Sequence, residues 1–125
     1  MHRILMRTVV LDYPSDVHDT ACDFWAVALA AHARVGHEYP EYHVLEHPAA
    51  LGPVMVQRLV EGPSRIHLDL ETDDPAGEIA RLVDAGATVV ERREDWTVLR
   101  DPGGLLFCVI PAGSEDFSEL ARRVG

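Results

Sequence analysis

The sequence predicts an α+β domain in which a strand, a helix and a set of strands follow one another twice. Three observations predict it. Helix starts are signalled at Asp16 and Asp74, with glycines at Gly36 and Gly86 to close the helices. Arg65-Ile66-His67-Leu68-Asp69-Leu70-Glu71 alternates apolar and polar with period two. Short turn sequences then divide the last apolar stretch into three strands.

The first strand is expected over Ile4 to Leu11, which is rich in Val, Ile and Leu. Asp12-Tyr13-Pro14-Ser15-Asp16 reads as turn and cap chemistry leading into a helix from about Asp16 to about Arg34. Val17, Ala21, Phe24, Trp25, Ala28 and Leu29 recur at three- and four-residue spacing, which lays an apolar stripe along one side. Between His37 and Pro53 the prolines Pro40 and Pro48 interrupt regular structure, although Tyr42 to Glu46 can form a short strand. Val54 to Val60 reads as a firmer one.

In the Arg65–Glu71 strand, Ile66, Leu68 and Leu70 go to one face, expected to be buried, and His67, Asp69 and Glu71 to the other. Thr72-Asp73-Asp74-Pro75 starts a second helix, whose buried stripe is Ile79, Leu82 and Val83 and which Gly86 ends. Strands follow at Thr88–Arg92, Trp96–Arg100 and Leu105–Ile110, joined through Glu94-Asp95 and Asp101-Pro102-Gly103-Gly104. A closing helix is expected from about Ser114 to Val124, acidic at its start and ending in Arg122-Arg123, as its dipole favours.

Composition narrows the function classes. A chain of 125 residues holds one ordinary domain, so an internal duplication must share its core. No apolar run approaches the roughly 20 residues a membrane helix needs, and Met1-His2-Arg3-Ile4-Leu5-Met6-Arg7 breaks too early for a signal peptide, so a cytoplasmic protein is expected. Cys22 and Cys108 are accordingly expected as reduced thiols. The net charge of −10 repels nucleic-acid backbones and anionic lipid, and Arg92-Arg93 and Arg122-Arg123 are isolated pairs rather than a basic patch. Neither nucleic acid nor membrane is an expected partner; the charge suits a cationic small molecule.

The stretch from His67 through Gly86-Ala87-Thr88 to Trp96 and Asp101-Pro102-Gly103-Gly104-Leu105-Leu106-Phe107-Cys108-Val109 resembles the second module of glyoxalase-like proteins of the vicinal oxygen chelate superfamily, which includes bleomycin resistance proteins and dioxygenases. Three features carry the resemblance: an HLD-type strand before an acidic helix cap, an alanine-rich helix ending in Gly-Ala-Thr, and Asp-Pro-x-Gly leading into the last strand. Phe24-Trp25 and Leu29 are similar to the family's first-module pattern, with Ala30 where glycine is usual. The resemblance implies two βαβββ modules in tandem, about 1–62 and 63–112, whose curled mixed sheets surround a cleft, followed by the C-terminal helix at about 114–124. It also implies a homodimer.

Family enzymes commonly hold a divalent metal in that cleft with His and Glu side chains. His67 matches one ligand position, whereas Thr8, Val9 and Val10 stand near the first-strand position, Gln57 near the position ending the first module, and Cys108 where Glu is usual. Glu61 lies too near its strand end to serve. The residues nominated for ligand binding are therefore His67, Asp69, Gln57, Cys108 and Trp96, with His67 as the metal candidate. His67, Asp69 and Glu71 are equally readable as a polar patch satisfied by cross-strand partners. Cys108 lies between Phe107 and Val109, where a buried thiol is commoner than a nucleophile, although one with His67 as its base is conceivable. Trp25 is expected in the core and Trp96 at a cavity mouth. His43 and His47 stand four apart, but the flanking prolines argue against a helical ligand pair, and His18, His32 and His37 read as surface residues. The expected function is binding of a small organic molecule without an obligatory metal cofactor. Alternatives are a metal-dependent lyase, isomerase or dioxygenase, and a non-catalytic interaction module whose sheet edges pair with another chain.

Overall fold

The computed structural model describes residues 1–29, 31–46 and 54–125. Its elements run β1 (His2–Pro14), α1 (Ser15–Ala28), β2 (His32–Val35), β3 (Tyr42–Glu46) and β4 (Val54–Leu59), then β5 (Arg65–Thr72), α2 (Pro75–Asp84), β6 (Thr88–Arg92), β7 (Thr97–Arg100) and β8 (Leu106–Pro111). Strand, helix and three strands therefore occur twice, in an α+β chain with mixed sheet pairing. A one-turn helix α3 (Phe117–Leu120) and a strand β9 (Arg122–Val124) finish the chain. No helix among the described residues is long and apolar enough to cross a membrane. The contacts define two compact units: Thr8–His67, and Met1–Arg7 together with Leu68–Gly125.

In the Thr8–His67 unit, β4 pairs in parallel with β1, and β3 pairs antiparallel with both β4 and β2. The sheet's two faces differ in chemistry. Leu11 is in register with Val56, and Val56 with His43, so these three share one face. Helix α1 covers that face, where Cys22, Leu45, Val54 and Val56 form the core and Leu11, Tyr13, Trp25, Ala26, Leu29 and Ala31 pack against it. Trp25 is thus a core residue as expected, and its Nε1 donates to the Tyr13 hydroxyl at 2.9 Å. On the opposite face, Asp12 is in register with Gln57 and Gln57 with Tyr42.

Two expectations for this unit are corrected. The first helix ends at Ala28 rather than near Arg34, because His32–Val35 pairs with His43–Glu46 as β2, a non-local gain that local helix propensity does not register. The helix is also rotated: His18 and Cys22 are its buried residues, while Val17 and Phe24 of the expected stripe are exposed. His18, expected on the surface, is completely buried. His32 and His37 are exposed, as expected. His47 and Ala30 lie outside the described residues.

In the other unit, β5 and β8 are parallel, and β8, β7 and β6 are antiparallel neighbours. Local chemistry sets its punctuation. Asp74 caps α2 by accepting from the Gly77 N–H at 3.0 Å, Pro75 occupies the first turn, and Gly86 takes φ +120° just beyond the helix. Asp101 Oδ1 accepts from the N–H groups of Gly103 at 2.8 Å and Leu105 at 2.9 Å, fixing the turn into β8. Ile79, Leu99 and Val109 form the core, with Leu82, Ala87, Val89 and Phe107 around it. Only part of the β5 apolar face is covered: Ile66 and Leu68, expected to be buried, are 60% and 41% exposed.

Residues 1–7 belong to this second unit through specific bonds. The His2 Nε2 lies 2.7 Å from the buried Glu78 carboxylate, and Arg3 Nε donates to Asp73 at 2.9 Å. Arg7 Nη1 donates to Asp116 at 3.0 Å. The expected closing helix over 114–124 is corrected to the single turn of α3, because residues 122–124 pair antiparallel with 2–4 and satisfy the β1 backbone there. The turn is anchored by buried Phe117, whose ring lies 5.3 Å beneath the Arg3 guanidinium.

Candidate functional site

Strand β1 continues to Pro14, three residues past its expected end, because residues 9–14 pair in sequence with 54–59 of β4. This places Asp12 inside the sheet rather than in a turn. The alternation that sends Leu11 and Tyr13 toward α1 turns Asp12 to the other face, next to Gln57. Here His67 reaches it: its Nδ1 lies 2.6 Å from Asp12 Oδ2.

The pair is shielded from water. Asp12 is 1% exposed and the His67 side chain 11%. A carboxylate oxygen accepts, so His67 Nδ1 donates to Asp12. Asp12 thereby orients the His67 ring. The other carboxylate oxygen, Oδ1, is buried and has no hydrogen-bond partner among the described residues. Such an atom costs on the order of 1–3 kcal/mol unless a ligand, ion or water satisfies it.

Gln57 stands beside Asp12 in the β1·β4 register and His67 bonds to Asp12, so these three belong to one unit. Asp69 and Cys108 stand opposite each other in the β5·β8 register of the other unit. His67 precedes Asp69 by two residues on the same strand and therefore shares its face. Cys108 is a buried free thiol. Trp96 precedes β7 in the hairpin from β6, where its carbonyl accepts from Arg93 N–H at 2.8 Å and the Arg93 guanidinium lies 5.7 Å from its ring. Glu71 is buried and accepts from the Gly113 N–H at 3.1 Å and from the Ser114 N–H and hydroxyl, so its role is to hold the chain after β8.

Asp12 is the residue missed in the sequence. Thr8, Val9 and Val10 stand near the expected first-strand ligand position, and Asp12 lies in a segment with Pro14 and Ser15 that reads as turn chemistry. The available signal was the period-two row Thr8, Val10, Asp12, which requires only that the strand run on.

A divalent metal, as implied by the glyoxalase-like resemblance, would find suitable donors in this unit. The His67 imidazole and the Gln57 amide oxygen are nitrogen and oxygen donors of the kind that hold zinc-class ions, and Asp12, bonded to His67 Nδ1, would orient the ring.

Several solved structures share the fold. Methylmalonyl-CoA epimerase from Mycobacterium tuberculosis is 14% identical with a TM-score of 0.58, over 90% of this chain and 91% of that one. A hypothetical protein from Bacillus halodurans is 9% identical with a TM-score of 0.65, over 90% and 96%. A glyoxalase/bleomycin resistance protein/dioxygenase superfamily member from Vibrio splendidus is 16% identical with a TM-score of 0.59, over 86% and 100%. Among curated proteins none matches the chain. The family model described as a glyoxalase-like domain matches residues 8–110, and with that match and this fold the chain belongs to the glyoxalase-like domain family.

Proposed function

We propose that this protein binds a small organic molecule at the Asp12–His67 pair, with no obligatory metal. The carrying observation is the 2.6 Å bond from His67 to a carboxylate that is almost entirely buried. The buried carboxylate fixes the orientation of the His67 ring, so the imidazole is presented to a bound molecule in one pose. Gln57 beside the pair adds an amide that both donates and accepts. The net charge of −10 favours a cationic ligand through long-range attraction. In this reading the modules are residues 1–62 and 63–112, and the working form is a homodimer in the cytoplasm.

The test is a thermal-shift screen with small primary, quaternary and aromatic amines on wild type and on His67→Asn, whose amide nitrogen retains a donor for Asp12 while removing Nε2. Stabilisation by at least one amine that disappears in the variant supports the proposal. A panel that shifts nothing, or shifts both proteins equally, overturns it.

A second reading is a metal-dependent lyase, isomerase or dioxygenase in which the His67 imidazole is a ligand of the ion and Asp12, bonded to Nδ1, orients the ring. The metal would supply Lewis-acid polarisation of a substrate oxygen. Metal analysis of protein purified without chelator separates the readings: a stoichiometric divalent ion that is lost in His67→Asn establishes the second and removes the first.

A further inference from the structure

The helix-covered face of the Thr8–His67 unit carries a second group of metal-ligating side chains, away from the Asp12 row. His18 and Asp19 lie on α1 and His43 on β3, and each offers a ligand atom within 4.8 Å of those of the other two. We propose that His18 and His43, with Asp19 orienting the His18 ring, form a binding site for a divalent transition-metal ion of the zinc class.

Four features of the structure support it. His18 is completely buried, yet its Nε2 has no hydrogen-bond partner among the described residues. A buried imidazole nitrogen left unmatched is expensive, and this one sits in a ring 4.7 Å from the His43 ring, edge to face. Asp19 Oδ1 accepts from His18 Nδ1 at 2.8 Å, the carboxylate–histidine contact that orients imidazoles at metal centres. Asp19 itself is 72% exposed, so an ion has a route from solvent to an otherwise covered pair of histidines. Finally, Cys22, one helical turn after His18, places its Sγ 3.4 Å from His43 Nδ1.

Donor chemistry selects the class of ion. Two imidazoles and an adjacent thiol suit zinc and its neighbours, whereas magnesium and calcium require oxygen donors. The Arg58 guanidinium, which donates to Asp19 Oδ1 at 2.9 Å, would remain on the outer side of the carboxylate as its partner.

The test uses the full chain, stripped of metal with a chelator and dialysed, then titrated with Co²⁺ and subsequently Zn²⁺. The expected result is saturable binding of one Co²⁺ per chain, with the strong visible absorption of a four-coordinate site, displaced by Zn²⁺. Asp19→Asn and His43→Gln each weaken binding at least about tenfold. Asp19→Asn alters an exposed side chain, so it decides the matter even if His43→Gln fails to fold. The proposal is overturned if no saturable binding occurs, if Asp19→Asn binds as well as wild type, or if His67→Asn abolishes binding.

Discussion

Asp12 Oδ2 and His67 Nδ1 lie 2.6 Å apart, joining β1 to β5 through a carboxylate with one committed oxygen and one orphaned oxygen. The asymmetry has energetic consequences. Removing the histidine leaves a buried carboxylate with nothing to offset its lost hydration, while removing the charge leaves only a polar amide.

His67→Ala is therefore expected to cost about 3–5 kcal/mol of folding stability. Asp12→Asn, whose amide oxygen can still accept from Nδ1, should cost about 1–3 kcal/mol. The double variant Asp12→Asn/His67→Ala is expected to be more stable than His67→Ala alone, since no buried charge remains. Urea unfolding at neutral pH measures all three. Simple additivity of the two single effects would show that the pair is not coupled.

Glu78 governs the acid response of the other unit. Burial alone would raise its pKa, but hydrogen bonds from Arg81 and His2, with the charge of Arg81, outweigh burial and hold it below its ordinary value of 4.5. A carboxyl depressed in the folded state contributes stability that is complete above its unfolded pKa and is lost as pH falls through the folded one. The urea midpoint of wild type should thus decline as pH drops below about 4.5. Glu78→Gln should be less stable by about 2 kcal/mol at neutral pH and show a shallower decline. Parallel pH profiles for the two proteins would refute the assignment.

Local chemistry explains what was readable in the sequence. The β5 strand, the Asp74-Pro75 helix start, the Gly86 stop and the Asp101–Gly104 turn are each specified within a few residues and all four occur where expected, although the apolar face of β5 is not the buried one at Ile66 and Leu68. What escaped depends on partners distant in sequence. Asp12 is in a strand because Gln57 pairs beside it, and His32–Val35 is a strand because β3 accepts it. Residues 122–124 leave their helix for the edge of β1. His18 seemed a surface residue between Asp16 and Asp19, yet the helix rotates it inward beside His43 and Cys22. His67 was legible as a site residue, but its actual companion was not, because Asp12 resides in a segment whose composition imitates a turn.

Gly86 provides a backbone test of the α2 terminus. Its φ of +120° is one that L side chains rarely adopt, and an added Cβ would lie 3.0 Å from Pro102 Cγ. Gly86→Ala is expected to destabilise the protein by about 1–3 kcal/mol, read as a lower urea midpoint with an unchanged slope. Gly113, whose φ is ordinary and whose nearest contact for a Cβ is 4.0 Å away, is the matched control and should tolerate alanine.

The homodimer proposed above has a specific prediction on β5. Ile66 and Leu68 alternate onto the same strand face and are 60% and 41% exposed, although the pattern of the strand marks that face as one to be buried. Exposed apolar residues in a row on a strand that carries His67 are the kind of surface a second copy covers. Burying what is exposed of both on association would contribute roughly 1.5–3 kcal/mol per chain, before the costs of ordering and lost freedom. Light scattering on wild type should give twice the 13.8 kDa chain mass at micromolar concentration. Ile66→Asp combined with Leu68→Asp should give the chain mass itself, with an unchanged far-ultraviolet circular dichroism spectrum. A wild type that elutes as a monomer at every concentration, or a folded double variant that remains dimeric, would remove β5 from any interface.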